Sequence, residues 1–202
     1  MSELLRTLNN ELAAMTGTVH RSLVQINNGR RGGSGAGTIW QADGLILTNA
    51  HVVRQQTPEV TLPDGRTITA DIIAYDEQRD LATLSVAAHG LPTLPLGDSS
   101  TLRAGDWVMA IGHPWGILGA ASAGFVIDVG WPLGWSSYRG ELVQTSLTLR
   151  PGHSGGPMVN GDGQLIGINT MISGPKVGLA VPINVAKQFM AEHIRPPTNT
   201  YI

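Results

Sequence analysis

The chain contains no cysteine. That absence removes every disulfide, every thiolate zinc site and every cysteine nucleophile, so neither a cystine-stapled scaffold nor a zinc finger is open to it. Charge is scarce too: Asp, Glu, Lys and Arg make up 14% of the sequence, and the formal net charge is −2. Such a balance supplies no pull toward nucleic acid or an anionic membrane, and Arg30-Arg31 is too short to form a basic patch. A neutral surface and an uncharged class of partner are expected. No run of about eighteen consecutive apolar residues occurs, so no membrane span is expected. There is no His-Glu-x-x-His, and His20, His89 and His193 have no partners at ligand spacing, so no metal site is expected either.

What the sequence does hold is turn-forming residues, 26 Gly and 12 Pro in 202 positions. Frequent turns in a chain of low charge point to many short strands, and a chain of this length buries roughly 70% of its unfolded surface. The N-terminus differs. Ser2 to Met15 spaces Leu4, Leu5, Leu8 and Leu12 for one face of a helix, with Ser2 placed as its cap. This segment lacks the continuous apolar core of a secretory signal. The direct reading is a cytoplasmic protein, or a periplasmic or other extracytoplasmic one if a signal segment was removed.

From about Val19 short apolar runs alternate with Gly, Asp-Gly and Pro-Asp-Gly punctuation. Candidate strands are Leu23-Ile26, Ala36-Trp40, Leu45-Thr48, Glu59-Leu62, Thr67-Tyr75 and Leu81-Val86. After a Pro-rich stretch, Leu91 to Thr101, come Trp107-Ile111, Ala121-Val129, Glu141-Ser146, Pro157-Asn160, Leu165-Met171 and Val177-Val181, with Gly161-Asp162-Gly163 as a tight hairpin. A helical pattern closes the chain from Ile183 to His193. Two groups of about six strands imply two antiparallel barrels or sandwiches. The expected division is an N-terminal helical segment over 1–18, a first β-barrel over 19–100, a second over 101–182, and a C-terminal helix and tail over 183–202.

A nucleophilic hydrolase needs a Ser on a Gly-rich turn, a His to take its proton and a carboxylate to orient the His. Ser154 lies in Pro151-Gly152-His153-Ser154-Gly155-Gly156-Pro157, where glycines permit positive φ and leave backbone N–H groups unobstructed. His51 lies in Leu47-Thr48-Asn49-Ala50-His51, at the end of an apolar strand. Asp80 heads Asp80-Leu81-Ala82-Thr83-Leu84. Asp76 and Asp98 are rival carboxylates, but neither stands in the Asp-Leu-Ala context.

These motifs, in the order His, Asp, Ser, resemble those of the trypsin-like serine proteases of the bacterial HtrA/Deg family. The segments Leu96-Gly97-Asp98-Ser99-Ser100, Arg103-Ala104-Gly105-Asp106, Gly167-Ile168-Asn169-Thr170 and Ala180-Val181-Pro182-Ile183-Asn184 carry the same resemblance, which covers roughly Val19 to Phe189. It implies an all-β fold of two six-stranded chymotrypsin-type barrels with short terminal helices. It also implies a serine endopeptidase with His51, Asp80 and Ser154 as triad, and Gly152, His153 and Ser154 around the oxyanion hole. No metal or organic cofactor is implied.

By the same resemblance Thr148 forms the base of the pocket for the residue before the cut. Thr170, Met171 and Ile172 pair with an extended substrate, and Gly178, Leu179 and Ala180 line the opposite wall. A neutral, apolar pocket suits small or medium aliphatic residues, and strand pairing suits unfolded polypeptide partners. Family members often form trimers through N-terminal segments, which gives Ser2 to Met15 a homotrimer contact as one role and packing on its own barrel as another. PDZ domains commonly follow this kind of protease domain; 202 residues leave no room for one, and Arg195-Pro196-Pro197 reads like the start of a linker. The chain departs from the family in having His rather than Asn at His153 and His113. His153 is expected as a plain hydrogen-bonding substitution for Asn; the competing reading is that an imidazole beside the nucleophile titrates near neutrality and that its protonation alters the oxyanion loop. Trp115, Trp131 and Trp135 are expected in loops near the site.

Overall fold

A computed structural model describes residues 2–28, 34–131, 140–173 and 177–194. Helix α1 (Glu3–His20) starts where Ser2 was expected to cap it, the Ser2 hydroxyl accepting from the Leu5 N–H. It runs five residues past the expected end, through Thr16, Gly17 and Thr18, residues of poor helix propensity. Tertiary contact overrides that propensity. The Thr16 hydroxyl bonds back to Leu12 O and meets Met109 Sδ, and Met15 packs on the core.

Seven strands follow: β1 (Leu23–Asn27), β2 (Ser34–Gln41), β3 (Leu45–Thr48), β4 (Glu59–Thr61), β5 (Thr67–Thr69), β6 (Asp71–Asp76) and β7 (Leu81–Ser85). They form one antiparallel sheet in the order β5-β4-β1-β2-β3-β7-β6. The stretch Thr67-Tyr75, read from sequence as one strand, divides at buried Ala70, whose N–H donates to Pro58 O. β5 and β6 are joined by this single residue yet lie at opposite ends of the strand order. The sheet therefore curls until its edges meet at that corner, giving a barrel without hydrogen bonds along one seam.

The second group is β8 (Trp107–Gly112), β9 (Ala120–Gly130), β10 (Leu142–Thr145), β11 (Pro157–Asn160), β12 (Leu165–Ser173) and β13 (Val177–Pro182). It closes fully as β10-β13-β12-β11-β8-β9. The result is the expected all-β, two-barrel, chymotrypsin-like architecture, with helix α2 (Ile183–His193) at the residues its periodicity indicated.

One buried cluster fills the first barrel around Val24, Ile26, Ile46 and Leu84, and another the second around Val108, Val143, Leu147 and Met158. A third spans both, from Leu47 and Leu81 to Ile111, Leu179 and Phe189. Each such fully buried side chain contributes about 1.5–3 kcal/mol of transfer free energy, so this shared cluster holds the two halves in fixed relation. Among the described residues no helix is long and apolar enough to cross a membrane.

Candidate active site

The site is assembled where β3 and β7 of the first sheet meet the turn before β11 and the middle of β12. His51 sits in a 3-10 turn, Ala50–Val52, directly after β3. The preceding Asn49 is wholly buried and donates from Nδ2 to Asp80 O at 3.0 Å, tying the turn to the head of β7. Asp80 has φ +51, the left-handed region that Asp enters more readily than most residues. That conformation turns its carboxylate back onto the His51 turn. The His51 main-chain N–H donates to Oδ1 at 3.0 Å, and Nδ1 stands 2.9 Å from both carboxylate oxygens.

The carboxylate has a further partner that sequence reasoning did not assign. The Thr170 hydroxyl donates to Asp80 Oδ2 at 2.5 Å. Thr170 was expected only as part of the substrate-pairing strand; here it reaches from the second barrel to fix the acid of the first. No local signal marks this pairing across 90 positions. The His51 side chain remains 40% exposed while that of Asp80 is 9% exposed. The imidazole is open to solvent and the carboxylate beside it is shielded.

Ser154 lies on a turn whose glycines are sterically required. Gly155 has φ +83, and a Cβ there would lie 2.0 Å from Ala36 O and 2.2 Å from Thr48 Oγ1. Gly152 has φ +106, with a Cβ 2.4 Å from His113 O. These close approaches let the turn dock on both sheets: Ala36 N–H donates to Ser154 O, the Thr38 hydroxyl to Gly155 O, and His113 N–H to Gly152 O. Among the described residues the N–H groups of Gly152 and Ser154 have no protein partner, and both residues line the cleft. Two free amides beside a serine suit an oxyanion. The Ser154 hydroxyl itself donates to Thr170 O at 2.6 Å, and no hydrogen bond joins it to His51. Catalytic hydrogen bonds commonly tighten only when substrate binds.

His153 is buried rather than displayed. Its N–H donates to Arg150 O at 3.0 Å, and its Nδ1 lies 3.1 Å from both Arg150 N and Arg150 O. The side chain thus clamps the turn that carries the Gly152 and Ser154 amides. Burial, reinforced by the Arg150 charge, pushes the His153 pKa below its ordinary value. Its titration therefore falls lower than the near-neutral range the sequence suggested. His113 is also buried, and burial lowers its pKa to about 4.

The rival carboxylates have structural tasks. Asp76 accepts from the N–H groups of Gln78 and Arg79 and pairs with the Arg79 guanidinium, shaping the turn that delivers Asp80. Partial burial opposes its ionisation, but those Arg79 bonds hold its pKa below the usual range. Asp98 caps the 3-10 turn Ser99–Thr101, and hydrogen bonds from Ser100 and Asn184 lower its pKa to about 2.

A cleft of about 470 Å³ brings together Asn28, Gly35, His51, Arg54, Leu149, Arg150, Gly152, His153, Ser154 and Thr170. The expected specificity residues are not all there. Thr148 is exposed between buried Leu147 and Leu149 and does not line this cleft; Leu149 does. Leu179 is wholly buried in the cluster that spans both barrels and Ala180 in the one that fills the second, and Gly178 packs on Leu147 and Leu149. Alternation sends Leu179 and Ala180 to opposite faces of β13, and both faces are covered. For Met171 and Ile172 the backbone lies in β12, with Ile172 opposite Gly178, and their side chains are outside what the structure describes. Trp115 is exposed beside the cleft, under the Arg150 guanidinium at 4.8 Å. Trp131 is exposed at the end of β9, and Trp135 lies outside the described residues. Among the described residues no group of three His, Cys, Asp or Glu side chains is placed to hold a metal.

With this geometry in hand, known proteins offer a comparison. The model of the trypsin-like peptidase domain matches residues 35–168. A probable periplasmic serine endoprotease, DegP-like, of Halomonas elongata is 42% identical over 167 residues, covering 80% of this chain and 35% of the relative. The mitochondrial serine protease HTRA2 of Drosophila pseudoobscura pseudoobscura is 40% identical over 163 residues, covering 78% and 38%. Among solved structures, the HtrA-type protease AlgW with decapeptide superposes with a TM-score of 0.81 at 28% identity, over 90% of this chain and 67% of that one. The chain spans about two-fifths or less of the length of these curated relatives.

Proposed function

The chain belongs to the trypsin-like peptidase domain family, as an HtrA-type serine protease domain, and on that premise we propose that it hydrolyses peptide bonds of extended or unfolded polypeptides through His51, Asp80 and Ser154. The observation that carries this reading is the seating of His51 Nδ1 at 2.9 Å from an Asp80 carboxylate that Thr170 holds from behind. With Nδ1–H held by Asp80, Nε2 is the free base. A rotation of the Ser154 side chain away from Thr170 O presents its hydroxyl to that nitrogen. Ser154 Oγ then attacks the scissile carbonyl as His51 takes its proton, and the carbonyl oxygen gathers negative charge. The Gly152 and Ser154 amides receive that charge, each such donor being worth about 10²–10³ in rate. His51 returns the proton to the leaving amine, and a water attacks the acyl-enzyme in the second half. Asp80 stabilises the imidazolium in both halves.

For the residue before the cut, small or medium aliphatic side chains fit best. Leu149 and Pro151 are apolar residues of the cleft wall, and no carboxylate among the lining residues would pair with a basic side chain there. Substrate pairs its backbone with β12 from Thr170 to Ile172. The exposed Leu4, Leu5 and Leu8 of α1 support self-association as a homotrimer. The relatives named as periplasmic favour an extracytoplasmic location over the cytoplasmic one.

A fluorophosphonate tests the proposal. One adduct on Ser154, seen by mass and lost in His51→Ala, is the expected result. Absence of an adduct while an unfolded polypeptide still binds would replace the enzyme with a peptide-binding module, a reading that the Ser154 bond to Thr170 O would then explain.

A further inference from the structure

The cleft that holds the serine is positively charged although the chain as a whole is not. Two guanidiniums line it, Arg54 from the first sheet and Arg150 from the turn before β11, and no carboxylate is among its lining residues. Neither arginine forms an ion pair among the described residues, whereas Arg66, Arg79 and Arg103 all do.

Both are held in place. The backbone around Arg54 is pinned by buried Asn28, which donates from Nδ2 to Val52 O at 2.7 Å and accepts from Arg54 N–H at 2.9 Å. Arg54 Nε donates to His51 O at 3.3 Å, and among the described residues its terminal nitrogens have no hydrogen-bond or ion-pair partner. The backbone of Arg150 is pinned by the His153 ring, and its guanidinium lies over the Trp115 ring, 4.8 Å from the centroid. A stacked guanidinium keeps its in-plane donors free for a carboxylate. Trp115 holds φ +53, a left-handed conformation that is strained for a bulky residue, and is 69% exposed. From that position the indole stacks with Arg150.

The reaction tells which half of a substrate meets these charges. His51 must hand its proton to the leaving amine, so the chain beyond the scissile bond departs along the His51 side of the cleft, past Gly35, Val52 and Arg54. Successive side chains of an extended segment point to opposite faces, and the two arginines rise from opposite walls. We infer that this domain selects polypeptides carrying Asp or Glu at the first or second position after the cut bond, read by Arg54 and Arg150. The inference rests on the protease reading above and adds a substrate class to it. It departs from the sequence expectation of an uncharged partner, because a net charge averages out local ones.

Two quenched peptides, identical except for Glu or Gln at both positions, decide the matter. At low salt the Glu peptide should show a kcat/KM about fivefold or more higher, the upper range for solvent-exposed charge pairs, with the ratio shrinking in about 0.5 M salt. Arg54→Gln and Arg150→Gln should each lower the Glu-to-Gln ratio, and the double variant should bring it to one. Arg54→Glu should instead favour a Lys peptide, a reversal that a merely structural role would not produce. A wild-type ratio of one, with Ser154 still labelled by fluorophosphonate, overturns the acid preference and leaves the protease reading standing. If there is neither adduct nor turnover, the protease reading falls first. Binding of the two peptides, followed by fluorescence anisotropy, then decides this inference: equal affinities overturn it, and tighter binding of the Glu peptide supports the two arginines as its readers.

Discussion

Acid should loosen this domain through His113 before it protonates the paired carboxylates. His113 Nδ1 accepts from Gly119 N–H at 3.2 Å, so the ring proton resides on Nε2, which faces the Val24 backbone without a hydrogen bond of good geometry. Protonating Nδ1 would set two donors against each other inside the core. The titratable groups facing the ring, His20 on α1 and His153 on the Ser154 turn, also lower its pKa, and no carboxylate is among the groups acting on it. Burial is the largest cause of the lowered pKa, from 6.5 to about 4, and the drop corresponds to about 3 kcal/mol. The sign follows from which state binds the proton more tightly. Above pH 6.5 the ring is neutral folded or unfolded and costs nothing; between about 6.5 and 4 the unfolded chain takes up the proton and stability falls; below about 4 the loss is complete. For a domain of this size that amounts to a fall of roughly 6–12 °C in melting temperature. Asp98, held at about 2, titrates beneath this window. Urea unfolding of the wild type and of His113→Gln from pH 8 to 4 reads the effect. The variant should start about 1 kcal/mol less stable, for the lost Gly119 bond, and lack the His113 share of the wild type's fall, keeping that of buried His153. The His113 N–H holds Gly152 O at 2.8 Å, so the rate of fluorophosphonate labelling should drop over the same window. Parallel stability curves for the two proteins would refute the reasoning.

Two further changes follow from contacts across the site. Thr170→Val keeps the shape of the side chain but removes the donor to Asp80, so kcat on a peptide substrate should fall about tenfold, with stability reduced by about 1–3 kcal/mol and Thr170→Ser restoring both; unchanged kcat would show that His51 needs no such support. Gly155→Ala places a methyl against Ala36 O and Thr48 Oγ1 on a backbone of φ +83 and should cost more than about 3 kcal/mol in thermal unfolding. A variant within about 1 kcal/mol of the wild type would mean that the turn can shift away from the first sheet.

The proposed triad residues stood out because each sits in a local pattern that physics makes distinctive: a Gly-flanked serine, a histidine ending an apolar strand, an aspartate heading one. Strand limits were legible for the same reason, since turn residues punctuate them. What could not be read was every property that depends on the face a strand presents. Leu179 and Ala180 are apolar in either role, and only register decides that they fill the barrel rather than face a substrate. Thr148 has the chemistry of a neutral pocket base, yet alternation exposes it. The division at Ala70 was hidden because Thr67-Tyr75 is strand-like throughout, and the corner arises from closure of the sheet. His153 and His113 have an ordinary solution pKa near neutrality, and only burial, invisible in spacing, moves it down.

The contacts that join the two halves are also the contacts that build the site. Ala36 N–H to Ser154 O, Thr38 to Gly155 O, and Thr170 to Asp80 all run between the first sheet and the second barrel. Helix α2 adds a second fastening behind them: Arg79 reaches Glu192 at 2.6 Å, the Thr83 hydroxyl meets Met190 Sδ, and Lys187 reaches Gly97 O at 2.5 Å. Exposed ion pairs such as Arg79 with Glu192 add at most about 1 kcal/mol. The apolar cluster under the helix, centred on fully buried Phe189, contributes more and couples β7 to β12 and β13 directly. Since Asp80 directly precedes β7 and β12 carries Thr170, the same packing fixes the distance between the Asp80 carboxylate and the hydroxyl that holds it. The cleft is therefore as rigid as the interface between the barrels, and a perturbation that separates them removes the geometry of the site before either barrel has lost its own core.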